Sequence, residues 1–191
     1  MLKQVCFIRR AIILLGFTIL YNNSYSQAGF DNPTRALYVF DLVAKYVDYG
    51  KGFADSASFK IGVLVGDYDL INEMANLAKT RTRIQDKPVS VMGFRKLESL
   101  THTQVLYVNK NAGFDLDKIK AKIAGKQTML ITEGYEFRES MINFIVVDGK
   151  PQYDINEDYI KKEGMSVPQT LLFTAIKLSL IHICVLFRSR I

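Results

Sequence analysis

Between residues 34 and 132 short apolar runs alternate with segments of helical period, and that alternation restricts the chain to one fold class. Phe59-Lys-Ile-Gly-Val-Leu-Val65, Val89-Ser-Val-Met-Gly-Phe94, Thr103-Gln-Val-Leu-Tyr-Val108 and Thr128-Met-Leu-Ile-Thr132 are largely apolar. Runs of that length and composition are strands covered on both faces. Ala36, Leu37, Val39, Phe40, Val43, Ala44 and Val47 recur at helical spacing and predict a helix over 34–48. Leu70, Ile71, Met74, Leu77 and Ala78 predict a second over 68–79, capped by Asp67 or Asp69. Leu116, Ile119 and Ile123 predict a third over 115–123, stopped by Gly125. A short helical turn holds Leu97 and Leu100.

After Glu133 the rhythm changes. Met141-Ile-Asn-Phe-Ile-Val-Val147 and Gln152-Tyr-Asp-Ile155 flank Asp148-Gly149, a strong hairpin signature. A capped segment at 156–163, then Gly164 and a helix over Pro168–Ile176, close the pattern. A crossover helix must lie on the sheet it connects, so the fold predicted is α/β. In full it is a three-layer α/β/α sandwich with a mostly parallel sheet and a C-terminal β-hairpin plus closing helix.

The two ends follow other rules. Lys3, Arg9 and Arg10 precede the apolar run Ala11–Tyr21, which gives way to Asn22-Asn23-Ser24-Tyr25-Ser26-Gln27-Ala28. That order is the form of a secretory signal peptide, with cleavage expected after Ser26 or, alternatively, before Gly29. The apolar run is well short of the roughly 20 residues that span a bilayer. From Leu178 to Ile191 the helical pattern is abandoned; the string resembles translated sequencing-adaptor read-through, and a non-native tail is expected. The alternative there, a tail anchor over Leu171–Phe187, is opposed by Lys177 and His182, because a charge at bilayer depth costs about 2.5–3.5 kcal/mol. The expected organisation is a signal peptide at 1–26, one domain at 27–177 and the tail at 178–191.

This division decides how charge and cysteine are read. The chain carries +6 in total, but five of its 25 basic residues (Lys3, Arg9, Arg10, Arg188 and Arg190) lie outside 27–177, where all 19 acidic residues fall. The domain is left at +1, which gives no footprint for nucleic acid. Cys6 and Cys184 also lie outside it, so neither a disulfide nor a thiolate nucleophile is expected in the domain.

Few side chains in this domain suggest chemistry. Gly66, between a strand and a helix, could let a phosphate approach a helix N-terminus, but one glycine is not the dinucleotide fingerprint, and a plain turn is the simpler reading. Glu133, Glu136 and Glu139 crowd one loop, as an acid and base pair would, or as a solvated rim would. His102 is the domain's one histidine and reads as a surface or turn residue, so no metal site, cofactor or Ser-His-Asp triad is expected. Asn143 and Asn156 read as structural, tying down a turn or capping a helix. Tyr46, Tyr49 and Phe53 form a candidate interaction patch, with packing against the sheet edge as the equal alternative.

Four pieces taken in order resemble the YfiR family of small periplasmic proteins. They are Met129-Leu-Ile-Thr-Glu133, Met141-Ile-Asn-Phe144, Tyr153-Asp-Ile-Asn156 and Gly164-Met-Ser-Val-Pro-Gln-Thr-Leu-Leu172. Ala36–Asp48 resembles the family's opening helix, and Phe59–Gly66 its first strand and glycine. The chain has Asp48-Tyr49 where the family often has Trp-Pro, and Glu139-Ser140 where a glycine pair or Gly-Ala is common. The resemblance implies a periplasmic, non-catalytic and often dimeric α/β domain. Its implied partner is a membrane signalling protein, a diguanylate cyclase or a sensor kinase, touched through its periplasmic portion. A second expectation is a periplasmic small-ligand-binding module serving a transporter or receptor, with its ligand at the Gly66 end of the sheet. A hydrolase using Glu133 and Glu136 is the third.

Overall fold

A computed structural model describes residues 31–50, 53, 56–64, 68–147 and 150–175. The expected signal peptide at 1–26, the expected tail at 178–191, and Gly66, Asp67, Asp148 and Gly149, on which the glycine-turn, cap and hairpin-turn expectations fall, lie outside the described residues.

Helix α1 (Asn32–Lys45) begins at Asp31, whose carboxylate accepts a hydrogen bond from the Thr34 backbone N–H at 2.8 Å, with Pro33 in the first turn. Strand β1 (Phe59–Leu64) leads to α2 (Tyr68–Thr80), then β2 (Arg83–Ile84) and β3 (Lys87–Phe94). A 3-10 turn at Leu97–Ser99 precedes β4 (Val105–Asn109), and another at Lys110–Ala112 precedes α3 (Leu116–Ile123), capped by Asp115. Strands β5 (Met129–Glu133), β6 (Ile142–Val147) and β7 (Lys150–Ile155) follow, then α4 (Glu157–Lys162) and α5 (Gln169–Thr174).

The seven strands form one sheet in the order β2-β3-β1-β4-β5-β6-β7. The neighbours from β3 through β6 are parallel, while β2 on β3 and β7 on β6 are antiparallel. The α/β fold with a mostly parallel sheet, a C-terminal hairpin and a closing helix is therefore the observed one. Every residue of β4 up to Val108 and of β5 up to Thr132 is buried, so the middle of the sheet is covered on both faces. The chain steps from β1 to β3 through α2 in one direction and from β4 to β5 through α3 in the other. Right-handed crossovers in opposite directions send their helices to opposite faces.

The element boundaries moved little from those expected. The first helix stops at Lys45, and the last at Thr174. Strand β2 was not expected; it is two residues long and turns into β3 through Gln85 and Asp86, both at positive φ (47° and 63°). The core is one cluster in which Phe40, Phe59, Leu64, Met74, Leu106, Ile119, Met129, Leu130 and Phe144 are all fully buried. Backbone hydrogen bonds between Asp48 and Ser166, at 2.9 and 3.0 Å, join the segment after α1 to the segment before α5.

Candidate functional site

β1 and β4 are adjacent parallel strands whose onward connections run opposite ways, and open α/β sheets bind ligands where this happens, beyond the C-terminal ends of the strands. A cavity of about 270 Å³ lies at that place, lined by Val63 and Leu64 of β1, Tyr107 and Asn109 of β4, Leu70 of α2, and Arg35, Asn111 and Ala112.

Arg35 comes from the first turn of α1 and reaches the end of β5. Its Nε and Nη2 donate to the two carboxylate oxygens of Glu133, each at 2.7 Å, and its Nη1 donates to Asn32 Oδ1 at 2.8 Å. This is the fork geometry that favours arginine over lysine. The side chains are 19% and 14% exposed, so the pair is screened less than a surface pair. The Tyr107 hydroxyl donates to the same Glu133 carboxylate. Burial first, then the negative charge of Glu133 and the hydrogen bond to it, push the Tyr107 phenol far above its usual range. Tyr107 is thus a fixed donor, and the ion pair ties α1, β4 and β5 together at the mouth of the crevice.

A polar network lies one strand further on. Thr132 shares a hydrogen bond with Ser140 at 2.5 Å and donates to Asn143 Oδ1 at 2.9 Å, while Asn143 Nδ2 donates to the Tyr135 carbonyl at 2.8 Å. Asn143 also contacts Asp154 Oδ2 at 3.4 Å, and Asp154 Oδ1 has no hydrogen-bond partner although the residue is fully buried. Burial raises the Asp154 carboxyl above its ordinary value, opposed by the Asn143 amide and by Arg138. Through this network the 134–141 loop is held against β6.

The residues singled out from sequence fall in several places. Tyr49 is buried and packs against Phe53 in a tilted contact and against Phe59 edge-on, both at centroid distances of 5.5 Å. Phe53 is half-buried beside it, whereas half-buried Tyr46 lines a different groove with Tyr38, Tyr153 and Leu171. The three aromatics therefore do not form one continuous exposed face. Glu133 belongs to the ion pair instead of a solvated rim, and Glu139 accepts from the Glu136 backbone N–H at 3.0 Å, a turn-forming role. His102 is exposed and its Nε2 lies 2.8 Å from the Lys126 carbonyl. Asn156 caps α4, and Asn143 anchors the loop before β6. Among the described residues no group of three or more His, Cys, Asp or Glu is placed to hold a metal ion, and no helix is long and apolar enough to cross a membrane.

Sequence reasoning passed over Arg35, Tyr107, Asn109 and Asn111. The available signal was Glu133 itself, a charged residue that ends an apolar strand. Its partner stands 98 positions earlier, a separation no local pattern reveals.

A doubly wound sheet with a crevice at its switch point, beside an internal ion pair, defines an α/β domain. The chain belongs to the YfiR/HmsC-like family, which matches it over residues 33–175. That family comprises periplasmic regulators of diguanylate cyclases. No curated protein matches the chain.

Proposed function

We propose that this protein is exported by cleavage of its N-terminal signal peptide and acts in the periplasm as a non-enzymatic regulator of a membrane signalling protein. The partner in this reading is a diguanylate cyclase, or alternatively a sensor kinase, contacted through its periplasmic portion. The observation that carries it is the family match across nearly the whole described domain.

The mechanism is a population shift. A regulator that binds the inactive state of its partner more tightly than the active state lowers output by that difference in affinity and needs no chemistry of its own. The contact residues proposed for this role are Tyr46 and Phe53, each half-buried and lining a separate groove, with Tyr49 packing behind Phe53. Self-association into a homodimer belongs to the same reading.

The test is co-expression of the full chain with a membrane cyclase encoded beside it, reading cellular cyclic di-GMP. A fall in cyclic di-GMP that is reversed when the signal peptide is deleted supports the reading. An unchanged level, with the regulator confirmed in the periplasmic fraction, rejects it for that cyclase.

A further inference from the structure

We propose that the 134–141 loop is a pH-dependent strap, fastened against β6 and the end of β7 while Asp154 carries a proton and released as that carboxyl ionises. Anchoring, backbone conformation and the burial of one acid each contribute to this assignment.

The loop joins β5 to β6, and two side chains outside it hold its backbone. Asn143 Nδ2 donates to the Tyr135 carbonyl at 2.8 Å, and Asn156 Nδ2 donates to the Arg138 carbonyl at 2.9 Å. Between these anchors Arg138 sits at φ 62°, a left-handed conformation that a residue with a Cβ holds only under constraint from its surroundings. The closed loop is therefore maintained against a local backbone preference.

Asp154 stands opposite Asn143 in the β6–β7 register, which puts its carboxyl at the first anchor. The residue is fully buried; Oδ2 meets Asn143 Nδ2 only at 3.4 Å, and Oδ1 has no hydrogen-bond partner. The Asn143 amide cannot turn to offer more, because its Oδ1 already accepts from Thr132, which is itself bonded to Ser140. A carboxylate in this setting has given up its hydration without an equivalent return, a cost the neutral acid escapes. Opening the loop lets water reach the ionised group, so ionisation and opening favour one another.

The surrounding charges are few. Arg138 is the one charged side chain that bears on the Asp154 carboxyl among the described residues; β5 and β6 present the neutral Thr132 and Asn143, and α4 its cap Asn156. Burial raises the carboxyl, and the Asn143 amide, the Arg138 backbone and the Arg138 charge oppose it. Within the loop Glu139 accepts from the Glu136 N–H at 3.0 Å, a bond that weakens on protonation and so pulls in the other direction. The closed loop binds the Asp154 proton more tightly than the open, hydrated one. Closure is thus strongest in acid and declines as pH rises, by at most about tenfold per pH unit for a single proton.

This device is independent of the regulatory reading, because it is measured on the purified full chain with no partner present. The probes are the Gly134 and Glu139 amides, which donate to the Phe144 and Glu136 carbonyls at 3.1 and 3.3 Å. Between about pH 4 and pH 7 their hydrogen-exchange protection, corrected for intrinsic rates, is expected to fall by up to about tenfold per pH unit, while the β4 and β5 amides keep theirs. Asp154→Asn, neutral at every pH, is expected to give a flat profile. Arg138→Gln removes the charge that favours the ionised acid and is expected to move the fall to higher pH, a displacement that a purely structural role would not produce. The parent profile decides by itself should Asp154→Asn fail to fold. The proposal is overturned if loop protection in the parent is flat or rises with pH, if β4 and β5 lose protection in step with the loop, if folded Asp154→Asn keeps the parent slope, or if Arg138→Gln falls at the same pH as the parent.

Discussion

At the scale of single residues, the buried groups that lack partners give the clearest expectations. Tyr49 is buried with no hydrogen-bond partner for its hydroxyl, and burial holds its phenol well above the usual range. An unsatisfied buried hydroxyl costs about 1–3 kcal/mol. Tyr49→Phe keeps the ring contacts with Phe53 and Phe59 and should raise the urea midpoint, by up to about 2 kcal/mol of stability. A lower midpoint would show that the hydroxyl has a partner after all. Asp154 makes a pH-dependent case. Its folded value lies above the ordinary 3.8, so between those two values the folded protein binds the proton more tightly than the unfolded chain. Stability from this group is complete below the ordinary value and is lost as pH rises through the folded one. Asp154→Asn removes that slope, and denaturation at several pH values should show the variant gaining on the parent as pH increases. A constant gap between the two would contradict the raised carboxyl. Neither residue announced itself in sequence: Tyr49 read equally as patch or packing, and Asp154 sat unnoticed inside a strand-like run.

At the scale of elements, most of the fold was legible because the strands are buried on both faces and the helices on one. The near-continuous apolar run of β1 and the three-to-four spacing of Leu70 and Met74 are direct consequences of that difference. Asn156 caps α4 where a capped segment was expected, while Asp115, expected as the first residue of its helix, is the cap of α3. β2 escaped because two residues carry no period, and Gln85-Asp86 holds positive φ without glycine. Gly62 explains a different local choice. A Cβ there would lie 3.0 Å from Phe94 Cε2 and 3.0 Å from Thr103 Cγ2, in the middle of the sheet. Gly62→Ala should destabilise by about 1–3 kcal/mol through overpacking, measured by chemical denaturation. A neutral effect would mean that the Phe94 ring yields at little cost.

For the whole molecule, the fold class could be read from local pattern, whereas the crevice could not. A strand is specified by neighbours in sequence, but Arg35, Tyr107 and Glu133 meet only after α1, β4 and β5 have been placed. The same holds for the Asp48–Ser166 bridge, which pairs a segment that precedes the first strand in sequence with one that follows the last. Ser166→Pro deletes the N–H that donates to the Asp48 carbonyl at 3.0 Å. Hydrogen exchange should then accelerate at the Asp48 amide, while the β4 and β5 amides keep their protection. Equal acceleration across the sheet would mean that the bridge is part of the global unfolding unit.

Both margins of the sheet are antiparallel additions, a two-residue β2 on one side and on the other β7, which opens with Lys150-Pro151. Brevity, a lysine and a proline are the usual means by which proteins stop strands from recruiting strands. Polymerisation by edge-to-edge growth is thereby discouraged, because neither margin offers an incoming strand a long, unobstructed row of backbone groups.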